Sequence, residues 1–280
     1  MTRNCFQCAG VLLALIALPS LAFGGQSKDF ARTVEFNSGS ELKINSTKGS
    51  VKLTGWDRNQ VEIIARIVMK ERVEPDYARR AVEAVRIEVA GDSRELSIRP
   101  IYDDVPRRDG SGGWSRTLPD VNFEIQAPRH MILQLDTDRT EVDLRGLDGK
   151  LTLKSDRGKV TAQDLGGDIR LKMDRCGNSA LSGLRGTLNV EMDRSELTVG
   201  ALQISGDSRF DVSRGEAMLQ LPRSQGLSVS ANVGRRADFN SEFAISTRKF
   251  GDRVEGDING GGPKLLIHTD RGKVELKASN

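Results

Sequence analysis

An aspartate followed by an arginine recurs along this chain at a nearly constant interval. The pairs are Asp138-Arg139, Asp156-Arg157, Asp174-Arg175 and Asp193-Arg194. Ser213-Arg214 continues the series, Asp270-Arg271 returns near the C-terminus, and Thr47-Lys48 opens it. Acid beside base at that regularity suits two chemistries. If the repeats stack, the pairs form a ladder of carboxylates and guanidiniums that can bind a polyanion or a polysaccharide. If they only turn the chain, their charges stay solvated and neutralise one another, at roughly 0–1 kcal/mol per exposed pair. The turn reading asks less of them.

The other reactive residue types form no recognisable constellation. Cys176 occupies the small-residue slot after Arg175, which suits a tight corner better than a reactive thiol. Cys5 and Cys8 have the spacing of a redox or zinc pair, but they precede an apolar segment that reads as cleaved. His130 and His268 are the only histidines; they fall in different repeats, with no serine or cysteine motif beside them. A nucleophile elbow of the G-x-S-x-G form is missing from the sequence. Calcium-binding β-rolls repeat G-G-x-G-x-D. Gly166-Gly167-Asp168 and Gly260-Gly261-Gly262 come nearest, and neither supplies it. No pair among the 39 acidic residues stands out as a glycosidase pair. The expectation is no catalytic residue, no cofactor and no metal. Trp114, near Arg107, Arg108 and Arg116 in an irregular stretch, is a candidate contact for sugar or protein, or a cover over one end of the fold.

The elements that must position these residues follow from the same repeat. Take the basic residue of each pair as position zero. Six residues earlier stand Leu42, Leu133, Leu151, Ile169, Leu188 and Leu265, and four earlier stand Ile44, Leu135, Leu153, Leu171, Val190, Phe210 and Ile267. Three later come Val51, Val142, Val160, Leu197 and Val274; five later, Leu53, Leu144, Ala162, Val199, Leu219 and Leu276. Alternation with period two is a half-buried strand. Each unit therefore holds two strands, a polar corner between them and a Gly-rich turn. At the corner Asp can bond its own backbone, and the following Gly tolerates positive φ. One such unit cannot bury its apolar face alone, whereas stacked units at roughly 4.8 Å share one continuous core. Like residues at like positions favour parallel stacking over an antiparallel meander. Trp56, eight residues after Lys48, takes the slot of Leu147, Leu165 and Leu202 and reads as core.

Outside the repeat, Val61 to Val68 alternates like a strand and Pro75 to Val85 has helical spacing, with Pro75 or Asp76 at its start. Arg86 to Val89 and Glu95 to Ile98 read as strands around a turn at Gly91-Asp92-Ser93, and Val121 to Ile125 as another. Tyr102 to Pro119 has no periodicity and reads as an irregular loop. Residues 222–262 keep strands, around Leu227 to Val233 and at Phe243 and Ile245, but break the spacing.

Arg3, the apolar run Val11 to Leu18 and Ala22-Phe23-Gly24 have the layout of a secretory signal peptide over residues 1–24. The run is too short to cross roughly 30 Å of hydrocarbon. Removing it would take Arg3 with it, leaving residues 25–280 as one domain with two more basic than acidic residues and Cys176 as its one cysteine, so no internal disulfide. The charges are interspersed and aromatic residues are only 5%, which argues against a nucleic-acid surface. No later stretch is long and apolar enough for a membrane helix.

The corners Ser46-Thr47-Lys48-Gly49-Ser50-Val51 and Ser155-Asp156-Arg157-Gly158-Lys159-Val160 resemble those of the bacterial "putative adhesin" family, a β-strand-repeat domain of unknown function. The helix at 75–85 and the strand into Ala127-Pro128-Arg129 are also similar to that family, over about residues 31 to 280. The resemblance implies a β-solenoid at the bacterial envelope and carries no catalytic motif.

The expected fold is all-β: a single-stranded β-solenoid of stacked 18–20-residue coils with one short helix inserted near the N-terminus. The expected role is non-enzymatic, an exported periplasmic or cell-surface protein presenting a repetitive face to an envelope glycan or protein. The alternative is a β-helix enzyme acting on an acidic polysaccharide. Open solenoid ends carry unpaired backbone groups and invite end-to-end self-association.

Overall fold

The computed structural model describes residues 27–107, 117–250 and 253–279. Residues 1–24, expected to be a signal peptide, and Trp114 lie outside them. Over the described residues the fold is all-β with one helix, Pro75–Ala84, and the strands form a single hydrogen-bonded sheet of mixed direction.

Its centre is a run of parallel strands, each lying on the next in the register of the sequence repeat. Glu41–Ser46 pairs with His130–Asp138, placing Leu42 opposite Leu133. His130–Asp138 pairs with Thr140–Asp156, Leu133 opposite Leu151. Val160–Asp174 follows, Ile169 opposite Leu151, then Arg185–Asp193, Leu188 opposite Ile169. Ser208–Pro222 comes next, Phe210 opposite Val190, and Lys264–Ser279 last, Ile267 opposite Phe210. The second strand of each unit stacks likewise, Val51 on Val142 and Val142 on Val160. Every apolar residue named at the four repeat positions is buried, each Val, Leu, Ile or Phe among them stabilising by about 1.5–3 kcal/mol.

The departures from regular spacing sit in corners, not strands. The unit that begins at Arg175 spends its extra residue after Cys176, where Asn178 has φ 44°, so that Ala180 rather than Ser179 lies opposite Thr161. The unit that begins at Arg194 places its extra residues between Ile204, opposite Gly186, and Arg209, opposite Asn189.

Two insertions interrupt the stacking, and both end in antiparallel strands. Between the first and second units, Gln60–Val68 pairs antiparallel with Ser27–Glu35 and with Asp120–Pro128, and Arg86–Gly91 with Glu95–Ile101. The expected turn at 91–93 forms as Asp92 accepts from the amides of Arg94 and Glu95, at 2.8 and 3.2 Å. The helix buries Tyr77, Ala78, Ala81 and Val82. Beyond Pro222, Leu227–Val233 pairs antiparallel with Arg253–Ile258, and that strand with Ser246–Phe250. Phe243 and Ile245, expected in a strand, lie in the connection between Asp238–Ser241 and Ser246–Phe250, because the chain turns back there to begin an antiparallel pairing.

Trp56 also differs from expectation. Its ring is only part-buried, its indole N–H donates to Gln60 O at 2.9 Å, and the Arg58 guanidinium lies 5.0 Å from the ring centroid. The slot filled elsewhere by buried Leu147, Leu165 and Leu202 is here at the end of the strand Gly49–Trp56, beside Pro128. An indole there satisfies its N–H by staying near the surface.

Candidate functional site

The corner that carries each Asp-Arg pair is built by the arginine backbone. Arg139, Arg157, Arg175 and Arg194 have φ of 46°, 56°, 54° and 49°, the left-handed region that non-glycine residues seldom enter. The expected role of the next glycine is thus only partly right. Gly49 and Gly215 take positive φ where Lys48 and Arg214 do not, whereas Gly158 follows a left-handed Arg157 and is small for another reason. A Cβ there would lie 2.1 Å from Thr140 O of the neighbouring unit. The left-handed turn keeps the backbone ladder unbroken through the corner: Arg139 N–H donates to Asp156 O at 2.8 Å, Arg157 N–H to Asp174 O and Arg175 N–H to Asp193 O at 3.0 Å.

Inside the corner, the residue after the arginine closes a local bond. Thr140 Oγ1 donates to Asp138 O at 2.8 Å, and Ser195 Oγ to Asp193 O at 2.9 Å. Cys176 stands in the same place, with Sγ 3.5 Å from Asp174 O and 3.4 Å from Ser155 O. The thiol is completely buried.

Outside the corner, the charges interlock between units. Arg157 reaches back to Asp138 at 2.9 Å and pairs with its own Asp156 at 3.1 Å. Arg175 pairs with Asp156 at 2.7 Å and Asp174 at 3.1 Å, and Arg194 with Asp174 at 3.0 Å and Asp193 at 3.2 Å. Arg214 closes the series on Asp193 at 2.7 Å, and Arg139 begins it on Asp138 at 3.2 Å. The aspartates are half-buried and the arginines exposed. The hydrogen bond from Arg175 holds the Asp156 carboxyl below its ordinary value, and Arg214 does the same for Asp193. The eight candidate ladder residues are thus brought together in one row, where Arg157, Arg175 and Arg194 each span two layers. They line none of the five cavities described below.

The concave surfaces lie on other columns. The largest of these five, about 710 Å³, runs beside the stacked glycines Gly167 and Gly186, with Arg129, His130, Asp148, Asp164 and Arg185 at its sides. Its floor is low because it must be. A Cβ on Gly167 would fall 2.1 Å from Gly149 O, and one on Gly186 2.1 Å from Gly167 O, both backbone atoms of the neighbouring layer. A second, of about 300 Å³, crosses the other strand face over Ala180, Thr198 and Met218, with Glu196, Glu216 and Lys273 around it.

Three more cavities, of about 170, 460 and 340 Å³, lie end to end. The first and second share Thr152 and Lys154, and the second and third share Arg209 and Asp211. They form one trough across the stacked strands, between the outward side chains five and three residues before each basic corner. Sequence reasoning missed it. Those positions are polar in nearly every unit, which was visible, but their residue types vary, so no motif marks them.

At the N-terminal end Asp120 is buried between Lys48, at 3.1 Å, and Lys70, at 2.9 Å. Tyr102 is half-buried beside it with its hydroxyl out of solvent, and that burial together with the carboxylate pushes the phenol well above its ordinary value. Among the described residues no three His, Cys, Asp or Glu side chains group as a metal site, and no helix is long and apolar enough to cross a membrane.

No family model matches the sequence, and no curated protein matches it. Solved structures similar to this chain include a putative cell adhesion protein from Clostridium sporogenes, at 12% identity over 90% of this chain and 100% of that one, TM-score 0.32. A putative adhesin from Bacteroides fragilis is 14% identical over 90% and 97%, TM-score 0.35. A putative lipid binding protein from Parabacteroides distasonis is 9% identical over 90% and 98%, TM-score 0.34. Structures named as adhesins are thus among those this chain resembles, the name also reached from its corner motifs; TM-scores this low carry no argument about topology or activity.

Proposed function

We propose that the chain is a single-stranded β-solenoid, exported to the cell envelope, that works without catalysis by presenting a repeated surface to a glycan or protein. The observation that carries this reading is the register. Strands one repeat apart lie parallel with like residues opposed, so each outward position becomes a column running the length of the stack. A closed parallel barrel is the rival architecture, and small-angle scattering separates an elongated rod from a round particle. The binding test is a screen of residues 25–280 against envelope glycans, acidic polysaccharides and envelope extracts. Capture of any of these by the folded protein supports the reading; capture of none, with the far-ultraviolet spectrum intact, sinks it.

One observation favours the enzymatic alternative. Asp148 and Asp164 flank the glycine-floored cavity together with Arg129, His130 and Arg185, and paired carboxylates beside cations are what cleavage of an acidic polysaccharide would use. Depolymerisation of such a substrate, abolished by Asp148→Asn or Asp164→Asn, would establish it.

A further inference from the structure

We infer that the trough across the stacked strands is the binding site, and that its ligand is a linear, carboxylate-bearing polysaccharide lying perpendicular to the strands. The inference rests on the binding reading above and names the surface and the ligand class.

Three features of the trough point to this occupant. The first is shape. The trough crosses the strands from Glu41–Ser46 past Lys264–Ser279 to Leu227–Val233 and Arg253–Ile258, a distance of roughly 40 Å at about 4.8 Å per layer. A site that long, narrow and open suits an extended polymer and not a compact small molecule. One layer is comparable to the length of one pyranose residue, so successive sugars meet equivalent positions.

The second is charge. Lys43, Lys154, Arg170, Lys172, Arg209 and Arg253 line the three cavities, against Asp136, Glu191 and Asp211. The lining side chains themselves carry three more positive than negative charges, but Lys43 is ion-paired with Glu41 and Glu95, Arg170 with Asp168 and Arg253 with Glu255 just outside it, surface pairs worth about 0–1 kcal/mol each that the carboxylates of a polymer can replace. Lys172 pairs with Glu191 at 3.1 Å and Arg209 with Asp211 at 2.6 Å. Lys154, near the centre, is exposed and stands opposite Lys172 and Asp136 in register.

The third is the kind of contact offered. Amides, a hydroxyl and an imidazole, from Asn45, Gln134, Thr152, Asn189 and His268, alternate with the charges, and no aromatic ring of Phe, Tyr or Trp lines the trough. Recognition here is by hydrogen bonds to hydroxyls and carboxylates, not by stacking on a sugar face.

The test measures binding of the folded protein to polygalacturonate, with neutral dextran of similar length as control, by calorimetry at low and physiological salt. Two combined variants are compared: Lys154→Ala with Arg170→Ala and Lys172→Ala in the trough, and Arg139→Gln with Arg157→Gln, Arg175→Gln and Arg194→Gln on the corner ladder. All the altered side chains are exposed, and circular dichroism verifies each fold. The expected result is salt-sensitive binding of polygalacturonate but not dextran, weakened roughly tenfold by the trough variant, as three exposed charge contacts would give, and nearly unchanged by the ladder variant. Binding lost in the ladder variant and kept in the trough variant overturns the assignment while leaving the binding function intact. No binding of polygalacturonate, with capture of another envelope component, overturns the ligand class alone.

Discussion

Replacing Gly167 by alanine tests the close stacking of the units most directly. Gly149, Gly167 and Gly186 lie one above another, with φ of +121°, +97° and +124°. A Cβ on Gly167 meets two penalties. It forces an L-residue into a sparsely populated backbone region, at about 1–3 kcal/mol. It also falls 2.1 Å from Gly149 O and 2.9 Å from Gly149 C and N, backbone atoms that can retreat only if two ladder strands part. Opening two ladder hydrogen bonds adds about 1–3 kcal/mol, for about 2–6 kcal/mol in all. At about 2–4 °C per kcal/mol, the melting temperature should fall by roughly 5–20 °C. Three other glycines separate the penalties. Gly260 has φ +84° with no neighbouring atom within 4 Å, so alanine there should meet backbone strain alone; Gly158 has the close approach without positive φ; Gly177 has neither. Gly177→Ala should change stability by no more than about 1 kcal/mol. The assay is chemical denaturation of the four single variants, followed by circular dichroism. The reasoning fails if Gly167→Ala unfolds at the same denaturant concentration as Gly177→Ala.

The corner ladder should matter little to stability and only in acid. The Asp156 and Asp193 carboxyls are depressed by Arg175 and Arg214, so their contribution is present above the unfolded carboxylate value near about 4 and is lost as pH falls through the lower folded value. Replacing the four ladder arginines by glutamine should therefore remove part of the stability at neutral pH and almost none in strong acid, which denaturation under the two conditions checks. Cys176→Ser should be tolerated within about 1.5 kcal/mol, since Thr140 and Ser195 make the same inward bond with a hydroxyl; the wild-type thiol should react with a disulfide reagent only on unfolding. Asp120→Asn should cost about 1–3 kcal/mol, because the buried carboxylate is held by Lys48 and Lys70; an unchanged melting curve would refute that. In an alkaline absorbance titration, the Tyr102 phenol should stay protonated past the ordinary tyrosine range until the fold is lost.

The residues alone determined the strand register, and the reason is periodicity. Aligning the basic corners placed Leu133 over Leu151 and Ile169 over Leu188, and the strands pair that way, because a slip of one residue would turn every apolar side chain to solvent. The helix, the Asp92 turn and the strands flanking it were legible from local signals of the same kind. What depended on distant contacts was not. The arginine itself takes the left-handed turn at four corners, including the one where a glycine, Gly158, follows it, and at three of them its amide is held by a carbonyl of the next unit. Trp56 matches buried leucines by position, yet only the end of its strand shows that it stays near the surface. Phe243 and Ile245 alternate like a strand, but the return of the chain to pair with Arg253–Ile258 decides where strands begin. The trough was hidden because no single residue type recurs through its layers. Its shape comes from stacking polar positions that lie a whole repeat apart in the chain, and only the tertiary structure sets those side by side.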